Sequence, residues 1–470
     1  MSKGWGAAMA VTDRLDELLA ESVKRHGVPA ASIAVRVGDR QYEAAAGWAN
    51  VDARIEATPD TVFHFGSVTK TLTATLVARL IDQGKVDLDA PIARYVPEFA
   101  PRDPRIAQQL TVHHCLTHTA GLTSIVFAET GRNDDTVTRQ IEVINDEPQY
   151  HPPGALLSYC NSGILLLGRL IERQLGKPWH AAIVQDLAQP LGMQAVVAQP
   201  EQALRHRYAV GHVFEPRDRQ WVTDPQPFWM PGHAPAGSTC AGRARDLMTF
   251  AAMHLDGGRA ASGATFLSTG MVSRMQERAV DSPVSFLQTG WGLGWIHYDW
   301  GGRRIIGHDG STAGSNAYLR IDPERRVAAA LLVNCRAGLP VYEDLFSAIF
   351  GALCDAWEPG APPMRQAGNL DGYVGSYTDR MLRIDLARAG EGLSMAIAPA
   401  MSTPLTKNLV QRLELHPCGP GQFYVDGPDA MLGVPNPPAH TRLARPYAVI
   451  EAAGAQWLHS GSAAFRRKDE

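Results

Sequence analysis

The chain predicts an α+β fold, an antiparallel sheet flanked by helices, followed by a small all-β domain. Three observations carry that reading. Helical and alternating segments are mixed over residues 12–357, with strand-like runs at both ends of that span. Residues 358–368 (EPGAPPMRQAG) are rich in proline and glycine and read as a linker. Beyond them, over 369–470, short alternating runs are separated by turn residues, the pattern of a sandwich or barrel.

The elements follow in order. Leu15, Leu18, Leu19 and Val23 give residues 12–25 the spacing of an amphipathic helix. SIAVRVGDRQYEAAAGWAN reads as a hairpin turning at Gly38-Asp39. Helices are expected to start near Ser67, Asn161 and Arg243. Residues 291–335 read as strands broken by GG, DG and PE turns, with one strand ending at His308-Asp309-Gly310 and the next starting near Asn316. After the linker, YVGSYTD, LRIDLARAG, LSMAIAP, QFYVDG, YAVIEAAG and QWLHSG supply the strands of the second domain.

Composition narrows the function. Forty-four basic residues face 48 acidic ones, a net charge of −4. A nucleic-acid or anionic-membrane binder carries a basic surplus, so neither partner is expected. The six cysteines form no CxxC pair, which argues against a zinc ribbon or a disulfide framework. No run of about 18 apolar residues exists, and the N-terminal apolar run ends early at Asp13, short of an export signal. The expected location is the cytoplasm. No G-x-S-x-G, G-x-x-x-x-G-K or G-x-G-x-x-G is present.

Only seven of the 44 basic residues are lysines, so each can be asked what it is for. Lys70 lies on a helix that carries no other charge between Ser67 and Arg79, with Leu72, Leu76, Val77, Leu80 and Ile81 as its apolar stripe. Ser67 and Lys70 are i and i+3, so one helical turn presents both side chains together. A serine hydroxyl needs an adjacent base to become a nucleophile, and burial makes a lysine such a base by lowering its pKa. A serine cap followed by a surface lysine has the same spelling; the uncharged helix favours the catalytic reading. This S-x-x-K is unique in the chain.

Two further sites share the chemistry. Tyr159-Cys160-Asn161, the single Y-x-N, precedes a strongly apolar helix ended by Gly176. A tyrosine hydroxyl relays protons, and an asparagine amide holds a substrate carbonyl while hydrogen-bonding the lysine; a half-buried tyrosine beside an asparagine cap is the plainer use. His308-Asp309-Gly310 is one of three H-x-G triplets, with His64-Phe65-Gly66 and His459-Ser460-Gly461, and is preferred for its strand context. Gly310 permits close approach to the strand edge, and the Ser311 N–H can join that of Ser67 in an oxyanion hole. The proline-bound aromatics of 221–237 make Trp229 a candidate wall of an acyl pocket, or a cover for the core. His113, His114 and His118 read as structural, since no carboxylate is placed to complete a metal site. Arg466 and Arg467 read as a solvated tail rather than a carboxylate site.

S-x-x-K, then Y-x-N, then H-x-G in this order resembles the serine β-lactamase and penicillin-binding-protein superfamily. CLTHTAGL, YCNSGILLLGRLIE, PAGSTCAGRARDLMTFAAMHL and GHDGSTAG resemble its branch of class C β-lactamases, D-alanyl-D-alanine carboxypeptidases, D-aminopeptidases and family VIII esterases. DGYVGSYTD at 371–379 resembles the start of the lipocalin-like domain of some members. The resemblance implies Ser67 as acylated nucleophile, Lys70 as base, Tyr159 as proton relay and Asn161 as substrate contact, with His308 at the third motif and no cofactor or metal. Class C β-lactamases carry lysine where this chain has His308. Histidine there is similar to some carboxypeptidases and to the penicillin-binding-protein-type thioesterases, which release or cyclise peptides. The expected substrate is a small or peptidyl acyl compound, including one presented as a thioester on a carrier, with D-residue peptidase chemistry close by. A family VIII-type carboxylesterase is the alternative. A β-lactamase, a cell-wall carboxypeptidase and a penicillin-binding sensor rank below it.

Overall fold

The computed structural model describes residues 11–468 except 125, 127, 216, 227–229, 285–287, 357–359, 367, 391, 402–410, 427–443 and 462. Helix α1 (Leu15–His26) leads into the expected hairpin, β1 (Ala30–Val37) and β2 (Arg40–Asn50). Short strands β3 (Ile55–Glu56) and β4 (Phe63–His64) precede a turn of 3-10 helix, Gly66–Val68, and helix α2 (Thr69–Asp82). Helix α3 (Asn161–Leu175) is followed by β5 (His212–Glu215), β6 (Gln220–Thr223), β7 (Ala241–Gly242) and helix α4 (Ala244–Leu255). Then come β8 (Val280–Asp281), β9 (Gly290–Trp291), β10 (Ile296–Trp300), β11 (Arg303–Thr312), β12 (Ser315–Asp322), β13 (Val327–Val333) and helix α5 (Leu339–Cys354).

Among the described residues nine of these strands form one antiparallel sheet in the order β3-β2-β1-β13-β12-β11-β10-β9-β8. The N-terminal hairpin joins the C-terminal strands through β1 and β13, from Ala31 opposite Val333 to Val37 opposite Val327. β13 is buried on both faces, and its sequence, VAAALLV, runs apolar without interruption. Ala328, Ala330 and Leu332 face the cluster built on α2, α3 and α4; Ala329, Leu331 and Val333 face the cluster built on α1 and α5. That alternation is the period-two geometry of a strand between two helical layers.

The second domain is a closed antiparallel barrel of β14 (Gly375–Thr378), β15 (Leu382–Ala389), β16 (Gly392–Pro399), β17 (Gln411–Gly419), β18 (Gln422–Asp426), β19 (Ala444–Ala452), β20 (Ala455–His459) and β21 (Ala464–Arg467). Tyr377 opposite Arg467 closes it. This is the lipocalin-like architecture that the resemblance implied. Tyr377, Ile384, Met395, Leu415, Phe423 and Phe465 fill its interior.

The sequence reading is corrected at three points. β11 runs through His308-Asp309-Gly310 to Thr312 instead of ending there. β17 and β21 were not expected as strands. Arg466 and Arg467 belong to β21 and are no tail: Arg467 donates to the carbonyls of Gly372 and Val374 and to Gln456 Oε1 within the barrel. No helix among the described residues is long and apolar enough to cross a membrane.

One buried amide ties the sheet together. Asn334 accepts from Ala30 N at 2.8 Å and donates to the carbonyls of Trp48 at 3.0 Å and Ala49 at 3.2 Å, linking β1, β2 and the end of β13. Asn334→Ala strands the Ala30 N–H and the Trp48 carbonyl, while the Ala49 carbonyl keeps its bond from Val210 N. The expected loss is about 3 kcal/mol, from the cost of buried unpaired polar groups, measured as a lowered urea midpoint in tryptophan fluorescence.

Candidate active site

Ser67 sits in the 3-10 turn before α2, where Gly66 takes φ +50° and its Cα faces the β11 backbone. A Cβ on Gly66 would lie 2.7 Å from Ser311 N, and one on Gly310 would lie 2.1 Å from Phe65 O. Only glycine at both positions lets the turn and the strand approach closely enough to bring the amides of Ser67 and Ser311 to one place. β11 pairs with β10 only as far as Gly307, opposite Ile296. Its edge from His308 onward is therefore free of β10, beside Ser67.

Lys70 is buried on the next turn. Its Nζ lies 2.8 Å from Ser67 Oγ and donates to Ala236 O at 2.6 Å. Burial pushes the ammonium well below the ordinary lysine pKa, because a low-dielectric site disfavours the charged form. The expected bond from Asn161 to Lys70 is absent among the described contacts; the carbonyl of Ala236 takes that place. The segment carrying it is fixed by β4 pairing with β7, Phe63 opposite Gly242 and His64 opposite Ala241. Thr73 Oγ1 adds a bond to Pro235 O at 2.9 Å. Gly237, at φ +113°, lies against the nucleophile turn, where a Cβ would stand 2.0 Å from Gly66 O.

Tyr159 hydrogen-bonds Ser67, and Lys70 Nζ lies 4.9 Å from its ring centroid. Burial raises the phenol's pKa, which outweighs the lowering by the Ser67 bond, so the hydroxyl stays protonated. Its ring stacks on His118 at 4.4 Å and meets the ring of Trp291 at 5.7 Å and that of His308 at 6.1 Å. Cys160, not an asparagine, is the N-cap of α3, its Sγ accepting from Gly163 N at 3.3 Å. Asn161 is the first helical residue; its Oδ1 is shielded from solvent with no hydrogen-bond partner.

His308 Nδ1 lies 2.6 Å from the carbonyl of Asp309. A carbonyl only accepts, so Nδ1 carries the proton and Nε2 is left as an acceptor, buried and unpartnered. Burial holds the ring neutral by pushing its pKa down to about 3. Asp309 is anchored by the buried Arg320, NH1 to Oδ1 at 2.7 Å.

His118, expected to be structural, lies beside Tyr159. The helix at 112–116 stops before it, so it does not share a face with His114, and it adopts φ +55°. Its Nδ1 accepts from Cys160 N at 3.0 Å and its carbonyl from Ser158 N at 2.8 Å, on either side of Tyr159. Trp229 lies outside the described residues. Trp221, from the same stretch, packs against the core between the sheet and α1 and α5 and donates from Nε1 to Gly27 O at 2.6 Å. Among the described residues no cluster of His, Cys, Asp and Glu could hold a metal.

A serine beside a buried lysine and a protonated tyrosine, at a strand edge free of β10, is an arrangement able to carry out serine acyl transfer. Residues 15–353 match the family model described as Beta-lactamase, and the chain belongs to that family of serine hydrolases. Penicillin-binding protein 4 of Amycolatopsis lactamdurans is 37% identical over 359 residues, 75% of this chain and 92% of that protein. Esterase EstB of Burkholderia gladioli is 34% identical over 212 residues, 41% of this chain and 54% of that protein. The solved structure of SurE superposes with a TM-score of 0.77 at 28% identity, covering 98% of this chain and 100% of its own. SurE with D-Leu gives 0.75 at 27% identity, with the same coverage.

Gly237→Ala is the sharpest probe of this packing. The added methyl has no room against Gly66 O and must displace the Ser67 turn. Acylation of Ser67 is expected to slow about a hundredfold, the scale of an ångström's misplacement, measured by mass spectrometry with an activated ester.

Proposed function

We propose that this chain is a serine acyl-enzyme hydrolase or acyltransferase for peptide-type acyl donors, of the kind that releases or cyclises peptides from a thioester or cleaves beside D-residues. The observation that carries the peptide reading is the polar lining left without partners. Asn161 Oδ1 and His308 Nε2 are shielded acceptors with nothing to accept from. Buried acceptors are costly unless a donor arrives, and a peptide brings N–H groups that a simple ester lacks. The open β11 edge beyond Gly307 suits an extended chain. The match to SurE spans both domains, and SurE has been solved with D-Leu.

In this reading Lys70, neutral through burial, takes the proton of Ser67 as Oγ attacks the acyl carbon. The N–H groups of Ser67 and Ser311 receive the oxyanion. Tyr159 gives its hydroxyl proton to the leaving group and recovers one from the Lys70 ammonium. Water or an amine then enters by the reverse sequence, and the Ser67 ester is released. Lys70 is matched to this task because its amine is a base at neutral pH. His308 stays neutral and offers Nε2 as an acceptor to substrate.

EstB supports the second reading, a carboxylesterase. The two separate on four acyl donors: a peptidyl thioester, a D-residue peptide amide, a p-nitrophenyl ester and a chromogenic cephalosporin, with products followed by mass. The expected outcome is cyclised or hydrolysed peptide from the thioester or the D-amide, lost by at least about 10³-fold in Ser67→Ala, as for nucleophile removal elsewhere. Rapid turnover of the simple ester with no peptide product would instead select the esterase.

A further inference from the structure

Two of the three H-x-G triplets belong to the site already described, one preceding Ser67 and one on β11. The third, His459-Ser460-Gly461, ends β20 in the barrel, and it lands against the loop that carries Tyr159. His459 is fully buried. Its Nδ1 accepts from Gly461 N at 3.0 Å, so the proton of the neutral ring is on Nε2. That N–H donates to Leu157 O at 2.8 Å, across 302 residues of sequence. Burial lowers the ring's pKa to about 4, so it remains neutral at physiological pH.

The contact is one of a set. Ala464 N donates to Ser158 Oγ at 3.4 Å, and Ser282 Oγ donates to Gly461 O at 3.4 Å. Leu156 packs on Trp457 and Ala464. Farther out, Arg380 of the barrel forms a salt bridge with Glu147. His459, Ala464 and Trp457 of the barrel therefore hold residues 156–158. His118 also holds Ser158 and Cys160. Tyr159 lies between the two histidines' anchor points.

We propose that the barrel is a working part of the active site, with His459 a positioning residue that fixes, through the Leu157 carbonyl, where Tyr159 delivers its proton. This rests on the reading of Tyr159 as proton relay. Removing the donor leaves the Leu157 carbonyl unpaired against the barrel, and the loop relieves that by shifting. A shift of that kind changes kcat while leaving KM nearly alone, since the phenol acts on the leaving group and not on ground-state binding.

The test compares full-length His459→Leu, His459→Gln and Tyr377→Phe. Glutamine keeps an N–H donor at the same reach. Tyr377→Phe removes bonds to Tyr373 O and Gln456 Oε1 inside the barrel and controls for barrel stability. With a D-residue peptide amide as acyl donor, whose amine must be protonated to leave, His459→Leu is expected to lower kcat about tenfold to a hundredfold with KM within about twofold. His459→Gln should recover most of that loss, and Tyr377→Phe should match the parent. Amide hydrogen exchange at Ser158 and Cys160 should quicken in His459→Leu alone. Parental kcat in His459→Leu, or an equal loss in Tyr377→Phe, would overturn the proposal. Should the leucine variant not fold, His459→Asn, whose amide is too short to reach Leu157, carries the same expectation. If the parent chain turns over no acyl donor, the acyl-enzyme reading fails by itself. The exchange measurement then decides the positioning: quickened exchange sustains it and unchanged exchange refutes it.

Discussion

A lysine amine held out of water between a serine hydroxyl and a backbone carbonyl is the constraint on which this molecule is organised. Lys70 is 1% exposed, and its described hydrogen bonds run to Ser67 Oγ and the Ala236 carbonyl, neither of them a carboxylate. Burying a charge there is expensive, which lowers the amine's pKa and favours its basic form. The rest of the site serves that arrangement. The β4–β7 pairing and the bond from Thr73 hold Ala236 over the amine, and Gly237 lets the segment lie against the nucleophile turn. Gly66 and Gly310 bring that turn to the sheet.

The same burial sets the protonation state of each neighbour. Burial keeps the Tyr159 phenol protonated and the His308 ring neutral and lowers the pKa of Lys70, because the pocket disfavours every charged form. When the serine proton moves, an ammonium and an oxyanion form close together, each stabilised by the other and by backbone dipoles that were in place beforehand. A lysine at the third motif would add a charge that a neutral His308 does not.

The contact between Ser67 and Lys70 was legible because it is local. Two residues three positions apart on one turn meet whatever the rest of the chain does, and the scarcity of lysine made the pair conspicuous. The hairpin, the helix starts and the all-β character of the second domain were legible from periodicity. What the sequence did not show is contact made through backbone atoms. The carbonyl of Ala236 has no side-chain signature, so the lysine's second partner was assigned to Asn161 instead. His118 and His459 act on amides and carbonyls flanking Tyr159, one after a helix end and one from another domain; a lone histidine looks the same in either role. β11 was cut short because a glycine in a strand reads as a stop, whereas Gly310 marks close approach.

The claim that Lys70 is a neutral base is open to direct measurement, helped by there being only seven lysines in the chain. Lysine labelled with 13C at Cε gives few resonances, and Lys70→Arg assigns the one that matters. In a pH titration that resonance is expected to move far below the ordinary lysine range, with the acid limb of Ser67 acylation by an activated ester following the same curve. A Lys70 resonance that titrates with the surface lysines, near the unperturbed value of about 10.4, would contradict the account.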